Sequence, residues 1–288
     1  MSTRTLLNLA LAIIAIGLAA LIWYRPGLQR DTAPQAITTI DPQQVAMIAL
    51  TRSAAGPLAF RRQAGHWIID GTPAIPADDF QVHTVLALLQ AGGARSYQAD
   101  TLDLAGLGLD PPQASVRFDA TQIDIGNTEA IEGLRYIRLG ALVYLVEDRY
   151  QHLLNAGLGS FASRRLLPDG AQITALQLPG LTLTQTDDVH WQLSPEQPDV
   201  SADAVSQLMQ NWQRASALYV RRYEPGDYPD TIRATLGNTD APVVLHIVAR
   251  EPDLVLARPD WGLQYHVTGD VGAGLLGLPE PPAETVQE

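Results

Sequence analysis

The sequence predicts an α+β protein: an N-terminal transmembrane helix followed by two similar repeats, each an antiparallel sheet with a helix packed on one face. Three observations predict it. Leu6 to Tyr24 is an almost unbroken apolar run. A His-Trp strand leads through a Pro-containing loop into a capped amphipathic helix, once at His66-Trp67 and again at His190-Trp191. The strands around the two copies recur in the same order, with a period of about 120 residues, too long for a solenoid repeat or a propeller blade.

The apolar run is long enough to cross a bilayer, since roughly 20 helical residues span a hydrocarbon core of about 30 Å. Trp23 and Tyr24 fall where an aromatic belt lies, and Arg25 and Pro26 follow. The run is too long for a signal-peptide core, and no A-x-A site follows that core before the aromatic pair. Residues 1–28 are therefore read as an uncleaved single-pass anchor, in contact with lipid through residues 6–24. Arg4 on one side and Arg25 and Arg30 on the other give no clear positive-inside vote. A short amino tail before a single span places the remainder on the periplasmic side of a bacterial inner membrane as the expectation. Residues 29–44, polar with Pro34 and Pro42, read as a linker.

The first repeat, 45–165, opens with Val45 to Leu50, a turn at Ala55-Gly56-Pro57, and Leu58 to Phe60. The second, 166–279, opens with Ile173 to Leu178, a Pro179-Gly180 turn, and Leu181 to Leu183. Alternation of this kind marks strands with one face buried and the other wet. The helices follow the Trp strands. Val82, Val85, Leu86 and Leu89 in the first match Val205, Leu208, Met209 and Trp212 in the second. Both sets have the i, i+3, i+4, i+7 spacing that lines one helical face.

Asp78 with Gln81 forms a capping-box pattern, and Ser201 is an N-cap with Asp203 in the first turn. Gly92-Gly93 stops the first helix near Gln90; the second lacks such a stop and is expected to fray or bend. Strands then return in series, from Arg95 to Val146 and from Ala217 to Val267, each closed by a short apolar segment ending at Leu153-Leu154 or Leu275-Leu276. The expected packing kernel is Trp67, Val82, Leu86 and Leu89, with Trp191, Val205, Met209 and Trp212 as its second copy. The acidic, Pro-rich stretch 280–288 has nothing to bury and is expected to be disordered.

Composition removes several functions. The chain has 288 residues and a net charge of -12, so nucleic acid would be repelled. It has no Cys, which excludes disulfides, thiolate metal sites and a Cys nucleophile. Every cation is Arg; there is no Lys. His66 and His190 recur, but no H-x-H or H-E-x-x-H spacing accompanies them, and alternation turns each away from its buried Trp. Gly272-Ala273-Gly274-Leu275-Leu276-Gly277 matches G-x-G-x-x-G without the strand-helix-strand frame that a dinucleotide site needs. Asp78-Asp79 and Asp187-Asp188 lack calcium-loop spacing, and no G-x-S-x-G stands in the chain. The pairs Arg61-Arg62, Arg164-Arg165 and Arg221-Arg222 read as solvated strand or loop ends.

An ordered set of short motifs adds a resemblance. Trp67, Pro76-Ala77-Asp78, Gly108-Leu109-Asp110-Pro111-Pro112, Ile125-Gly126 and Tyr136-Ile137-Arg138 follow an N-terminal anchor. Together they resemble the family catalogued as domain of unknown function 4340, over most of residues 45–280. The second repeat lacks Gly-Leu-Asp-Pro-Pro. The resemblance carries no catalytic residues; it implies an envelope role beside an ABC-transporter-type system.

The expected function is non-catalytic: an envelope accessory protein with a protein partner, no cofactor and no metal. The alternative is a periplasmic sensor of a small ligand or glycan, using a cleft between the repeats lined by aromatics such as Trp212, Tyr219 and Trp261. Either way, the place to look is between the two kernels.

Overall fold

The computed structural model describes Ile14 and residues 35–278, except positions 54, 188, 189, 238 and 240. Apart from Ile14, the expected anchor lies outside the described residues, as does the acidic stretch 280–288. Among the described residues no helix is long and apolar enough to cross a membrane.

The chain forms two antiparallel sheets. The first takes β1 (Met47–Arg52), β2 (Leu58–Gln63), β3 (His66–Ile69), β4 (Ile75–Pro76), β5 (Arg95–Gln98), β6 (Ala114–Phe118), β7 (Thr121–Thr128), β8 (Leu134–Leu139) and β9 (Leu142–Glu147). Its order is β4-β3-β2-β1-β6-β7-β8-β9-β5. The second takes β10 (Ile173–Leu178), β11 (Leu181–Gln185), β12 (Trp191–Ser194), β13 (Tyr219–Arg222), β14 (Thr231–Leu236), β15 (Val243–Ala249), β16 (Leu254–Arg258) and β17 (Leu263–Val267). Its order, β12-β11-β10-β14-β15-β16-β17-β13, repeats the first with β4 left out.

Tight hairpins set this order, because antiparallel neighbours in sequence need only a short turn. Between β2 and β3 both turn residues, Ala64 and Gly65, have positive φ (49° and 88°), the backbone hand that matches strand twist. In each half the strand after the helix is placed at the far edge: β5 pairs with β9, and β13 with β17. Helix α1 (Asp79–Leu86) leaves the β4 edge and α4 (Ala202–Arg214) follows β12, so each crosses its sheet to reach the opposite side. That crossing lays the helical stripe over the apolar face. Val82, Val85, Leu86, Val205, Leu208 and Trp212 are all buried there.

Seven members of the expected kernel are buried, and Trp191 is only half-buried, packed against the core from its edge. Trp67 lies on β3, flanked by β2 and β4, whereas β12 is the outermost strand of its sheet. An edge strand has solvent on one side, so its Trp covers only part of the core. The helix ends also differ from expectation. The first tightens into a 3-10 turn at Ala87–Gln90, while α4 runs regularly to Arg214. Leu89, inside that turn, gives its carbonyl to the Thr38 hydroxyl (2.9 Å). The last turn of α4 is held by helix α5 (Gly269–Leu276): Asn211 Nδ2 donates to the Gly274 carbonyl and Trp212 Nε1 to that of Leu275, both at 3.0 Å. Asp78 caps α1 by accepting from Phe80 and Gln81 N–H, but its own N–H donates to the Phe161 carbonyl (2.7 Å) rather than closing a capping box.

The G-x-G-x-x-G match falls inside α5. A Cβ on Gly272 would stand 2.6 Å from Leu254 Cβ, so glycine there serves close packing of helix on β16.

One segment fastens the halves. After α2 (Gln151–Asn155) comes α3 (Leu158–Phe161), and the chain beyond it pairs both ways. Ser163 N–H donates to the Pro76 carbonyl (2.8 Å) in the first half. Leu166 N–H donates to Ala215 and Ala217 N–H to Arg164 (3.1 and 2.8 Å) in the second. The same pattern opens the first half: Ile37 N–H donates to Ala91 and Gly93 N–H to Gln35, so residues 35–38 of the segment read as linker are held to the fold. Helix α3 lies directly on β13, where a Cβ on Gly159 would stand 2.5 Å from the Val220 carbonyl oxygen. Gly159→Ala is expected to lift α3 off β13 and cost about 1–3 kcal/mol, read from urea unfolding.

Candidate functional site

Most residues with chemical potential are tied into the structure. His66 Nδ1 is 3.3 Å from Asp79 Oδ2, and the other oxygen of Asp79 accepts the Trp67 backbone N–H (3.1 Å). His190 is exposed and contacts Asp187 at 2.9 Å. Arg61 pairs with Asp70, Arg164 with Asp78 and Arg165 with Asp169, while Arg62 lies over the Trp67 ring. Among the described residues no three His, Asp or Glu gather into a metal site.

Among the described residues Arg135 is the most buried cation, at 3% exposure. Its Nε and Nη2 donate to the two oxygens of Asp148 (2.6 and 2.7 Å), Nη1 to the Gly126 carbonyl (2.6 Å) and Nη2 to Thr128 Oγ1 (2.9 Å). The Arg135 hydrogen bonds hold the Asp148 carboxyl below the usual carboxylate range, against the opposing effect of burial. This closed network pins a bulge in β7 between Ile125 and Thr128. Gly126 is thus inside a strand. The Gly108-to-Pro112 segment docks on the bulge: Asn127 N–H donates to the Leu107 carbonyl (2.8 Å), and a Cβ on Gly126 would stand 2.5 Å from that oxygen. Two of the motifs that carry the family resemblance, Gly108 to Pro112 and Ile125-Gly126, therefore meet in one structural knot, while Trp67 and Pro76-Ala77-Asp78 lie at β3 and β4, near the other edge of the sheet.

Of the concavities among the described residues, two are lined mainly by apolar surface. The larger, about 930 Å³, is a groove beside α1, bounded by the loop after it, by Leu134, Val146 and Glu147 at one end of the sheet, and by Tyr150. Tyr150 is buried in its wall, and burial pushes its hydroxyl pKa up. The rim carries two ion pairs, Arg95–Glu132 and Glu147–Arg149. Phe80 on α1 is 74% exposed, and Ile131, next to the groove residue Glu132, is 89% exposed. Phe80, His83, Thr84 and Ala87 line the groove at i, i+3, i+4, i+7, a second stripe on the same helix. The corresponding positions of α4 are Asp203, Ser206, Gln207 and Gln210, all polar. The contrast was present in the sequence but lay outside the matched core positions. A further contrast is structural: α5, eight residues long, packs on α4, whereas its counterpart α2 has five residues.

The smaller, about 320 Å³, lies between the halves. Trp67 and Pro76 come from the first, Leu166 and Leu167 from the connecting segment, and Arg258 and Trp261 from the second. Of the three aromatics expected there, only Trp261 is present. Trp212 is fully buried beneath α5, and Tyr219 stacks on His266 with ring centroids 4.4 Å apart.

A family model described as Domain of unknown function (DUF4340) matches residues 67–228, more than half of the chain. No curated protein and no solved structure matches it.

Proposed function

The chain belongs to the DUF4340 family, a domain of unknown function, and we propose that it is a non-catalytic, membrane-anchored envelope protein that holds a protein partner in the groove beside α1. In this reading Leu6 to Tyr24 is the anchor, the two sheets stand on the periplasmic side, and the halves are copies of one ancestral unit. The matching strand orders and the repeated pairing of the segments before each half support the duplication.

One observation carries the functional reading. The outward stripe of α1 ends in a large exposed Phe80, where the matching helix has only polar residues. Exposed apolar surface beside a polar rim marks interaction sites on soluble domains. The fitting occupant is an apolar helical segment of the partner, related to α1 as α5 is to α4. A helix laid in such a groove buries its apolar face and leaves the rim ion pairs to set its register. The first candidate partners are components of an ABC-transporter-type system, on the family resemblance.

The test is recovery of the partner with the full chain extracted from its native membrane in mild detergent. The wild type is expected to retain one protein in fixed ratio. Phe80→Asp with Ile131→Asp is expected to lower its recovery roughly tenfold or more, without a change in melting temperature, because both residues are exposed. Equal recovery by the variant, or no stoichiometric partner on the wild type, contradicts the reading.

A further inference from the structure

Trp67 and Arg258 both line the cleft between the halves, and each carries N–H groups without an acceptor among the described residues. Trp67 is 1% exposed, and its indole N–H has no hydrogen-bond partner among the described residues. A buried, unpaired N–H costs stability and calls for an explanation. Arg258 is 14% exposed, and its guanidinium lies 3.3 Å from the centroid of the Trp261 ring. Its one hydrogen bond among the described residues is a long one, from Nε to Asp260 Oδ2 at 3.4 Å. The two terminal nitrogens donate to nothing described. The carboxylates that line the same cleft are engaged: Asp79 by His66 and the Trp67 backbone, and Asp169 by Arg165. The other walls are apolar, from Pro76, Leu166, Leu167 and Pro168.

We propose that this cleft is a binding site for a small apolar carboxylate, its anionic head taken by Arg258 and the Trp67 N–H and its body by the apolar walls. An acceptor head is required because both free groups donate. A single negative charge suits a site whose two arginines each already have a carboxylate neighbour, Arg165 with Asp169 and Arg258 with Asp260, while the terminal nitrogens of Arg258 donate to nothing described. A sugar fits poorly, since sugars stack on open aromatic faces; one face of Trp261 is taken by Arg258, and the Trp67 ring is buried. The volume of about 320 Å³ is at the small end of ligand sites. The inference stands apart from the α1 groove and does not depend on a protein partner.

The experiment titrates the full chain in detergent with 2-naphthoate, following the Trp67 indole N–H by nitrogen-15 NMR and the affinity by calorimetry. The neutral 2-naphthamide and the cationic 2-naphthylmethylamine are the matched controls. Saturable binding of 2-naphthoate that moves the Trp67 indole resonance is expected, with the amide and amine weaker by roughly tenfold or more. Arg258→Gln is expected to weaken 2-naphthoate by a similar factor, and Arg258→Lys to recover part of the loss. Trp67→Phe, which keeps the ring and removes the N–H, is expected to weaken it as well. The proposal is overturned if 2-naphthoate leaves the Trp67 resonance unmoved in the wild type, a result that needs no variant to fold. It is equally overturned if the amide or amine binds as tightly.

Discussion

Trp67→Ala is expected to lower the unfolding free energy by about 3–5 kcal/mol, measured by urea denaturation of the full chain in detergent. The ring is 1% exposed, on a strand flanked by β2 and β4, beneath α1 and under the Arg62 guanidinium. Truncation removes the transfer free energy of the largest side chain in that core and leaves a cavity which two paired neighbours cannot close. The matching change Trp191→Ala is expected to cost clearly less, about 1–2 kcal/mol, because that ring is only half-buried on an edge strand. Equal costs at the two positions would contradict the packing described. Against a typical stability of about 5–15 kcal/mol, the first change threatens the fold and the second does not.

The second large effect is at the β7 bulge. Asp148→Ala leaves the Arg135 guanidinium buried without its carboxylate and is expected to cost about 3–5 kcal/mol at neutral pH. Replacing both, as Arg135→Met with Asp148→Leu, is expected to recover most of that loss, since no charge is then left buried. The pH dependence has a definite sign. The folded-state pKa of Asp148 lies below its unfolded value, near 3.9, chiefly because Arg135 hydrogen-bonds the charged form. Its contribution is therefore fully present above the unfolded pKa and is lost as pH falls through the folded one. Wild-type stability should fall on acidification below about pH 4, and the double variant should lose that part of the acid limb. An unchanged acid limb in the double variant would show that the pair is not what protects the bulge.

Local order was legible in the sequence to a large degree. Val82, Val85, Leu86 and Leu89 announce one helical face, their partners in α4 announce another, and alternation places nearly every strand. What stayed hidden was decided by partners distant in the chain. Nothing near Trp191 shows that β12 has no outer neighbour, whereas β3 is covered by β4. Residues 35–38 look like linker until Ala91 and Gly93 supply their hydrogen bonds. Arg135 reads as one more strand Arg until the bulge folds it onto Asp148. The candidate sites were partly legible. The alternative reading looked to a cleft between the repeats lined by three aromatics; the concavity there has Trp67 and Arg258 as its donors and, of the three, only Trp261. The groove was missed because Phe80 falls outside the core stripe, although its mismatch with Asp203 marks it.

The claim that α1 presents a docking face is tested most directly by a photo-crosslinking amino acid placed in the living cell at Thr84, on the groove stripe, and at Gln210, the exposed face of the counterpart helix. A single strong adduct with one envelope protein from position 84, abolished by Phe80→Asp, and none from position 210, is the predicted result. Adducts of equal strength from both positions, or none from position 84, would contradict it.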